Sequence, residues 1–120
     1  MEPAKVLTIG GSDSGGAAGI QADIKTITLL GGYAMSVVTV VTAQNSVAVS
    51  GAHFLPAKFV GQQLEAVLGD YGAGAIKTGF IGNVAIIEAI AERLAGWPGQ
   101  LVVDPVPTPI TELSVRLGSM

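Results

Sequence analysis

Between Thr26 and Ala57 the chain carries no Asp, Glu, Lys or Arg. A run so free of charge has to be covered, either by lipid or by the rest of the protein. A membrane-spanning helix needs about 20 predominantly apolar residues in sequence. This stretch is interrupted by Gly31-Gly32, by Gln44-Asn45-Ser46 and by Ser50-Gly51, and that pattern rejects a span. A strand of a parallel sheet, covered on both faces, reads instead as one continuous apolar run. The segment YAMSVVTVVTA, rich in Val and Thr, fits a central parallel strand.

The segments around it alternate. Val6–Ile9 reads as a short buried strand and Gly10–Ala18 as a loop. Ile20, Ile24, Ile27 and Leu30 recur at helical spacing over Gly19–Leu30, and Gly31-Gly32 ends that helix. Ala34–Val41 is the second strand. Residues 44–55 read as an irregular excursion with a short strand at Val47–Val49. A second helix over Lys58–Leu68 turns Val60, Leu64, Val67 and Leu68 to one side, with Gly69 behind it. Ala75–Lys77 is a strand. Asn83 caps a third helix bearing Ile86, Ile87, Ile90 and Leu94, ended by Gly96. Leu101–Val103 is a last strand, stopped by Asp104-Pro105. The remainder, from Pro107 to Met120, reads as a loop followed by an unfinished element. This order predicts an α/β domain with a mainly parallel sheet. Sites in such sheets lie beyond the carboxyl ends of the strands. Four segments fall there: Gly10–Ala18, Thr42–Ser46, Thr78–Gly82 and Asp104–Val106.

The first of these segments is dense in glycine: TIGGSDSGGAAGIQAD, Thr8–Asp23. A phosphate-binding P-loop requires Lys and Ser or Thr after its last glycine, and Ala17-Ala18 stand there. A dinucleotide fingerprint requires a first glycine where Ser14 stands and a later acid for the ribose; the second strand has no carboxylate. Asp13 would also crowd a pyrophosphate. Asp23 falls between Ile27 and Leu30 on the helical wheel, on the apolar side and in the first turn. A carboxylate there is costly unless it is hydrogen-bonded. Two readings stand: Asp23 bonds loop amides and holds the loop shut, or it accepts a hydrogen bond from a small polar ligand lying on the glycines. Gln44-Asn45 admits two as well, a turn satisfying local backbone or an amide matched to a heteroaromatic ring with adjacent nitrogen and amino groups.

Composition narrows the partners. A formal charge of −3 with only six Lys and Arg argues against nucleic acid. The absence of cysteine removes disulfides and thiolate zinc sites. Met1-Glu2-Pro3-Ala4-Lys5 lacks the features of a signal peptide, so a cytoplasmic protein is expected. His53 has no nucleophile or metal-ligand cluster in sequence reach and reads as surface polarity. Lys77, at a strand end, either meets a phosphate or pairs with a carboxylate. Trp97-Pro98 reads as loop packing. Metal ligands are not identifiable.

The stretches LTIGGSDSGGAAGIQADIKT, VVTAQNS, LEAVLGDYGAGAIKTGFIGN and VVDPV come in the order found in hydroxymethylpyrimidine and phosphomethylpyrimidine kinases. These are thiamine-pathway members of the ribokinase superfamily, and the chain resembles them from about Val6 to Val106. The resemblance implies a three-layer, ribokinase-like α/β fold, of which residues 1–120 would be the N-terminal part of a single domain. It implies that Gly11, Asp23 and Gln44 contact an aminopyrimidine, that Val106 borders it, and that Phe80 forms an apolar wall. Asp104 would lie near the phosphate and magnesium region, or would simply cap a strand end before proline. The implied reaction is ATP- and Mg2+-dependent phosphorylation of 4-amino-5-hydroxymethyl-2-methylpyrimidine and then of its monophosphate. Two departures matter. Pro107-Thr108-Pro109 replaces a Lys-Ser-Gly-like stretch. Family members are also longer, and the further half carries the Gly-Thr-Gly-Asp anion hole, the general base and most of the ATP site. No catalytic residue is therefore expected within this chain. A noncatalytic half-domain, a homo-oligomer or partner of a missing half, and a pyridoxal-kinase-like specificity are the alternatives.

Overall fold

The computed structural model describes residues 2–106. Pro107 to Met120, where the unfinished element and the Pro107-Thr108-Pro109 departure fall, lie outside the described residues. The order is β1 (Lys5–Asp13), α1 (Gly19–Leu29), β2 (Tyr33–Gln44), β3 (Val49–Phe54), α2 (Ala57–Asp70), β4 (Ala75–Thr78), α3 (Val84–Leu94) and β5 (Gln100–Val103). The strands form one sheet in the order β3-β2-β1-β4-β5. Three of the four pairings are parallel; β2 and β3 are antiparallel.

Strand alternation separates the two faces of the sheet. Leu7 and Ile9 of β1, Met35 and Val37 of β2 and Ile76 of β4 point one way and join Val60 and Leu64 of α2 and Ile86 and Ile90 of α3 in the main core. Thr8 and Lys77, register partners on β1 and β4, point the other way, toward α1. The result is a helix–sheet–helix stack of three layers. No helix among the described residues is long and apolar enough to cross a membrane.

The charge-free run covers the last turn of α1, then β2 and β3. The strand β2 is second from the edge; the central place belongs to β1. It also runs on to Gln44, three residues past the predicted end. Residues 44–55, predicted as an excursion with a strand at Val47–Val49, instead form the hairpin strand β3 from Val49 onward. Ser50, Gly51 and His53 weaken its apolar pattern, and pairing with β2 supplies the order that composition does not signal. Where β3 leaves β2, the Gln63 side chain takes over the edge. Its amide accepts from Val38 N–H at 2.9 Å and donates to Val38 C=O at 2.9 Å.

Helix ends match their chemistry. The Asn83 side chain accepts from Ile86 N–H at 2.9 Å, as predicted for the N-cap of α3. Past α1, Gly32 N–H bonds Ile27 C=O and Gly31 N–H bonds Thr28 C=O, the pair of bonds of a Schellman ending. Only Ile20 of the predicted apolar side of α1 is buried, and Leu30 lies past the last turn, 83% exposed. The helix touches the sheet through its N-terminal half, and so its far end stays in solvent. Ile87 of α3, placed with the apolar side in sequence, is likewise half exposed. Gly69 lies within α2, which continues to Asp70.

Candidate functional site

Beyond the carboxyl ends of the strands lies a cavity of about 410 Å³ to which all four predicted edge segments contribute. It is lined by Gly11, Asp23, Gln44, Phe80, Asp104 and Val106, the six residues singled out in sequence, brought together from positions almost a hundred residues apart. His53 is not among the lining residues; it is exposed on β3, opposite Val41.

The glycine-rich segment is built differently from its prediction. Gly10 to Asp13 do not belong to a loop but continue β1, because β2 is long enough to pair with them. The register slips between Gly10, paired with Val38, and Ser12, paired with Val41, so β2 carries the extra residue and Gly11 lies opposite this bulge, lining the cavity. A Cβ at Gly11 would come within 2.9 Å of Val40 Cγ1, closer than packed atoms tolerate. At Gly19, φ is +61° and a Cβ would overlap the Gly11 carbonyl oxygen, so glycine is required on both grounds. These two glycines let α1 begin directly against this part of β1.

What remains as loop, Ser14–Ala18, folds around one carboxylate. Asp13, 4% exposed, accepts from Gly15 N–H at 2.8 Å, Ala17 N–H at 3.0 Å and Ala18 N–H at 2.9 Å. Backbone amides converging at a helix N-terminus ordinarily make an anion site. Here that site is filled from within. Of the two readings weighed for Asp23, holding the loop shut is not observed, because Asp13 takes that role. Asp23 is also a full turn into α1, whose first turn holds no acidic residue: the helix starts at Gly19, as predicted, and Asp23 is its fifth residue, not part of the first turn. Further ties fix the segment: Gln21 Oε1 accepts from Asp13 N–H, Gln21 Nε2 donates to Ser12 Oγ, and Ser14 Oγ donates to Gln44 C=O.

Asp23 faces the sheet. Its Oδ2 accepts from Thr8 Oγ1 at 2.6 Å and from Lys77 Nζ at 2.8 Å. Of the two fates weighed for Lys77, pairing with a carboxylate is the one observed. Neither Thr8 nor Asp13 is legible as a site residue in sequence. A threonine inside a short strand and an acid inside a glycine run both look local, and only the fold brings Asp13 to the cavity wall and the buried Thr8 against Asp23.

The Gln44-Asn45 pair divides between its two readings. Asn45 is the turn residue, its Oδ1 accepting from Val47 N–H and Ala48 N–H. Gln44 ends β2 with its side chain at the cavity and one amide end 3.1 Å from Thr42 Oγ1. The Thr42 hydroxyl has a single proton, and Ser12 C=O at 2.7 Å is its nearer acceptor. The atom facing that hydroxyl is Gln44 Oε1, and the Gln44 NH2 donates to none of the described residues. Phe80 forms a wall backed by Phe54, ring centroids 6.1 Å apart, and its carbonyl is held by Thr39 Oγ1. Asp104 N–H continues the β5 pairing onto Thr78 C=O, while its exposed carboxylate bonds none of the described residues. Among the described residues no group of three His, Asp or Glu could hold a metal ion.

The sequence pattern of the phosphomethylpyrimidine kinase family matches residues 13–112. A hydroxymethylpyrimidine/phosphomethylpyrimidine kinase of Streptomyces coelicolor is 53% identical over 106 residues, 88% of this chain and 39% of that protein. The crystal structure of phosphomethylpyrimidine kinase from Clostridium difficile superposes with a TM-score of 0.84 at 45% identity, covering 89% of this chain and 47% of that one. The pyridoxal kinase of Staphylococcus aureus, solved with AMP-PCP and pyridoxal, gives 0.79 at 38% identity, over 90% and 40%. The chain thus spans less than half the length of each of these relatives, and its three layers are the N-terminal portion of their ribokinase-like α/β fold.

Proposed function

The chain belongs to the phosphomethylpyrimidine kinase family, and on that premise we propose that it supplies the pyrimidine-binding part of a kinase domain. The reaction is ATP-dependent phosphorylation of 4-amino-5-hydroxymethyl-2-methylpyrimidine and of its monophosphate. One observation carries this reading: Gly11, Asp23, Gln44, Phe80 and Val106 line a single cavity at the carboxyl edge of the sheet. Gly11, opposite the bulge, offers bare backbone to a flat ring, Phe80 and Val106 give it apolar walls, and Gln44 and Asp23 supply polar ends. A few placed polar groups in an otherwise apolar cleft is the usual composition of a small-molecule site.

The nucleotide side fits these residues poorly. The loop amides that would cradle phosphate are taken up by Asp13, and among the described residues Asp13, Asp23 and Asp104 line the cavity against one cation, Lys77. MgATP and the catalytic base therefore belong to the remainder of the domain that the relatives possess, with Asp104 at the border. Phosphoryl transfer depends on positioning and charge stabilisation at the γ-phosphate, which this part alone does not provide. Strand β5 fits the same reading. It is apolar at Leu101, Val102 and Val103, all at least half exposed, and among the described residues it pairs only with β4. Such an edge invites a further strand or a second copy.

Calorimetry tests the proposal. The chain should bind the hydroxymethylpyrimidine, and Asp23→Ala or Gln44→Ala should weaken binding about 5- to 150-fold, the scale of about 1–3 kcal/mol for a lost buried partner. A coupled assay should detect no ATP consumption by the chain alone. Steady turnover abolished by a substitution within these residues would overturn the division of labour. Tighter binding of pyridoxal than of the pyrimidine would favour the second reading, supported by the likeness to the Staphylococcus pyridoxal kinase.

A further inference from the structure

Thr8 and Lys77 are adjacent on neighbouring strands and point toward α1, on a sheet face where apolar side chains would pack without penalty. Thr8 is fully buried. Both donate to the same oxygen of Asp23, Oδ2, at 2.6 and 2.8 Å. A carboxylate that needed only neutralising has four acceptor positions over which to spread its donors. Here both donors converge on one oxygen, and Oδ1 accepts from none of the described residues, although Asp23 lines the cavity. Two donors on one oxygen, anchored in different strands, fix the plane of the carboxylate as well as its position. Gly79 leaves room for this pairing, since a Cβ there would stand 3.1 Å from Lys77 Nζ.

We infer that Thr8 and Lys77 are positioning residues that aim Asp23 Oδ1 at a hydrogen donated by the bound pyrimidine, an N–H or an O–H. The inference rests on the pyrimidine-binding reading above. Crystal structures of the ligand-free chain decide the first half without it. In Thr8→Val and in Lys77→Met the Asp23 carboxylate should rotate from its wild-type plane, whereas Thr8→Ser and Lys77→Arg should hold it. A carboxylate unmoved in both Thr8→Val and Lys77→Met overturns the inference. Calorimetry decides the second half with three compounds: 4-amino-5-hydroxymethyl-2-methylpyrimidine, the same ring without its amino group, and the same ring without its hydroxyl. Wild type should lose about 10-fold in affinity for one of the two trimmed compounds, which identifies the donor. That preference should vanish in Thr8→Val and Lys77→Met and return in Thr8→Ser and Lys77→Arg. A variant that merely loosened the fold would weaken all three compounds alike and keep the preference, which would overturn the aiming role. Equal wild-type affinity for all three would do the same while leaving the pyrimidine reading intact. If wild type bound none of them, the pyrimidine reading would fail, and the rotation of Asp23 would still stand or fall on the crystal structures.

Discussion

Replacing Asp13 with alanine should open the glycine-rich loop and cost the chain a large share of its stability. Three amide hydrogens, from Gly15, Ala17 and Ala18, lose one shared ionic acceptor. A hydrogen bond to a charged group contributes about 1.5–3 kcal/mol, so a rigid loop would forfeit the full sum of three. The loop is not rigid in that sense. Gly15, Ala17 and Ala18 are exposed, and water can take up their amides once the turn relaxes. The expected loss is therefore about 2–4 kcal/mol, toward the upper range for single substitutions. For Asp13→Asn the carbonyl oxygen keeps part of the set through neutral bonds roughly half as strong, and the loss should be about 1–2 kcal/mol. Urea titration followed by far-UV circular dichroism measures both. Amide hydrogen exchange localises the effect: Gly15, Ala17 and Ala18 should exchange faster in Asp13→Ala, while Leu7 and Ile9 in the core of β1 should not. An Asp13→Ala protein within about 0.5 kcal/mol of wild type, the range of ordinary surface changes, with unchanged exchange at the three amides, would refute the internal-anion account.

Gly19→Ala should destabilise by about 2–4 kcal/mol in the same titration, since it adds both a left-handed backbone penalty and an overlap with the Gly11 carbonyl. Asn83→Ala removes the side-chain cap of α3 and should cost about 1 kcal/mol, with Asn83→Asp or Asn83→Ser recovering most of it. Size-exclusion chromatography with light scattering should find the isolated chain oligomeric or aggregating through the exposed apolar β5. A monodisperse monomer with a cooperative melt would instead mean that these residues bury what they need to bury.

The parts of the fold legible in sequence are those with a strong period or a committed terminal residue. Ile86, Ile90 and Asn83 announce α3, and the Val-rich run announces β2, because helical spacing and uninterrupted apolarity each fit few kinds of element. The parts that differ from expectation are decided by partners distant in sequence. Gly10 to Asp13 are poor strand formers and become strand because Val41 and Thr42 are there to pair with. Ser50 to His53 become β3 for the same reason. Leu30 departs for the opposite cause: a periodic pattern says which side of a helix is apolar, not how far along its length a neighbour extends.

The site divides along the same line. Residues at the ends of strands can be assembled in sequence, because an α/β sheet gathers its carboxyl ends at one edge whatever the details. The hydrogen bonding of that edge cannot. Asp13 and Asp23 are both carboxylates near glycines, and spacing leaves Asp23 open to holding the loop or to meeting a ligand. The fold separates the two tasks, since Asp13 follows Gly11 and lands among the amides at the start of α1, whereas Asp23 is carried one turn away, onto Thr8 and Lys77. The separation bears directly on chemistry. An edge whose loop amides already hold a carboxylate has little left for a phosphate, and its remaining polar capacity lies at Gln44, Asp104 and the second oxygen of Asp23. Two of those three accept hydrogen bonds without donating any. A ligand suited to this edge must bring its own donors and a flat apolar body, which describes an aminopyrimidine alcohol far better than a nucleotide's phosphates.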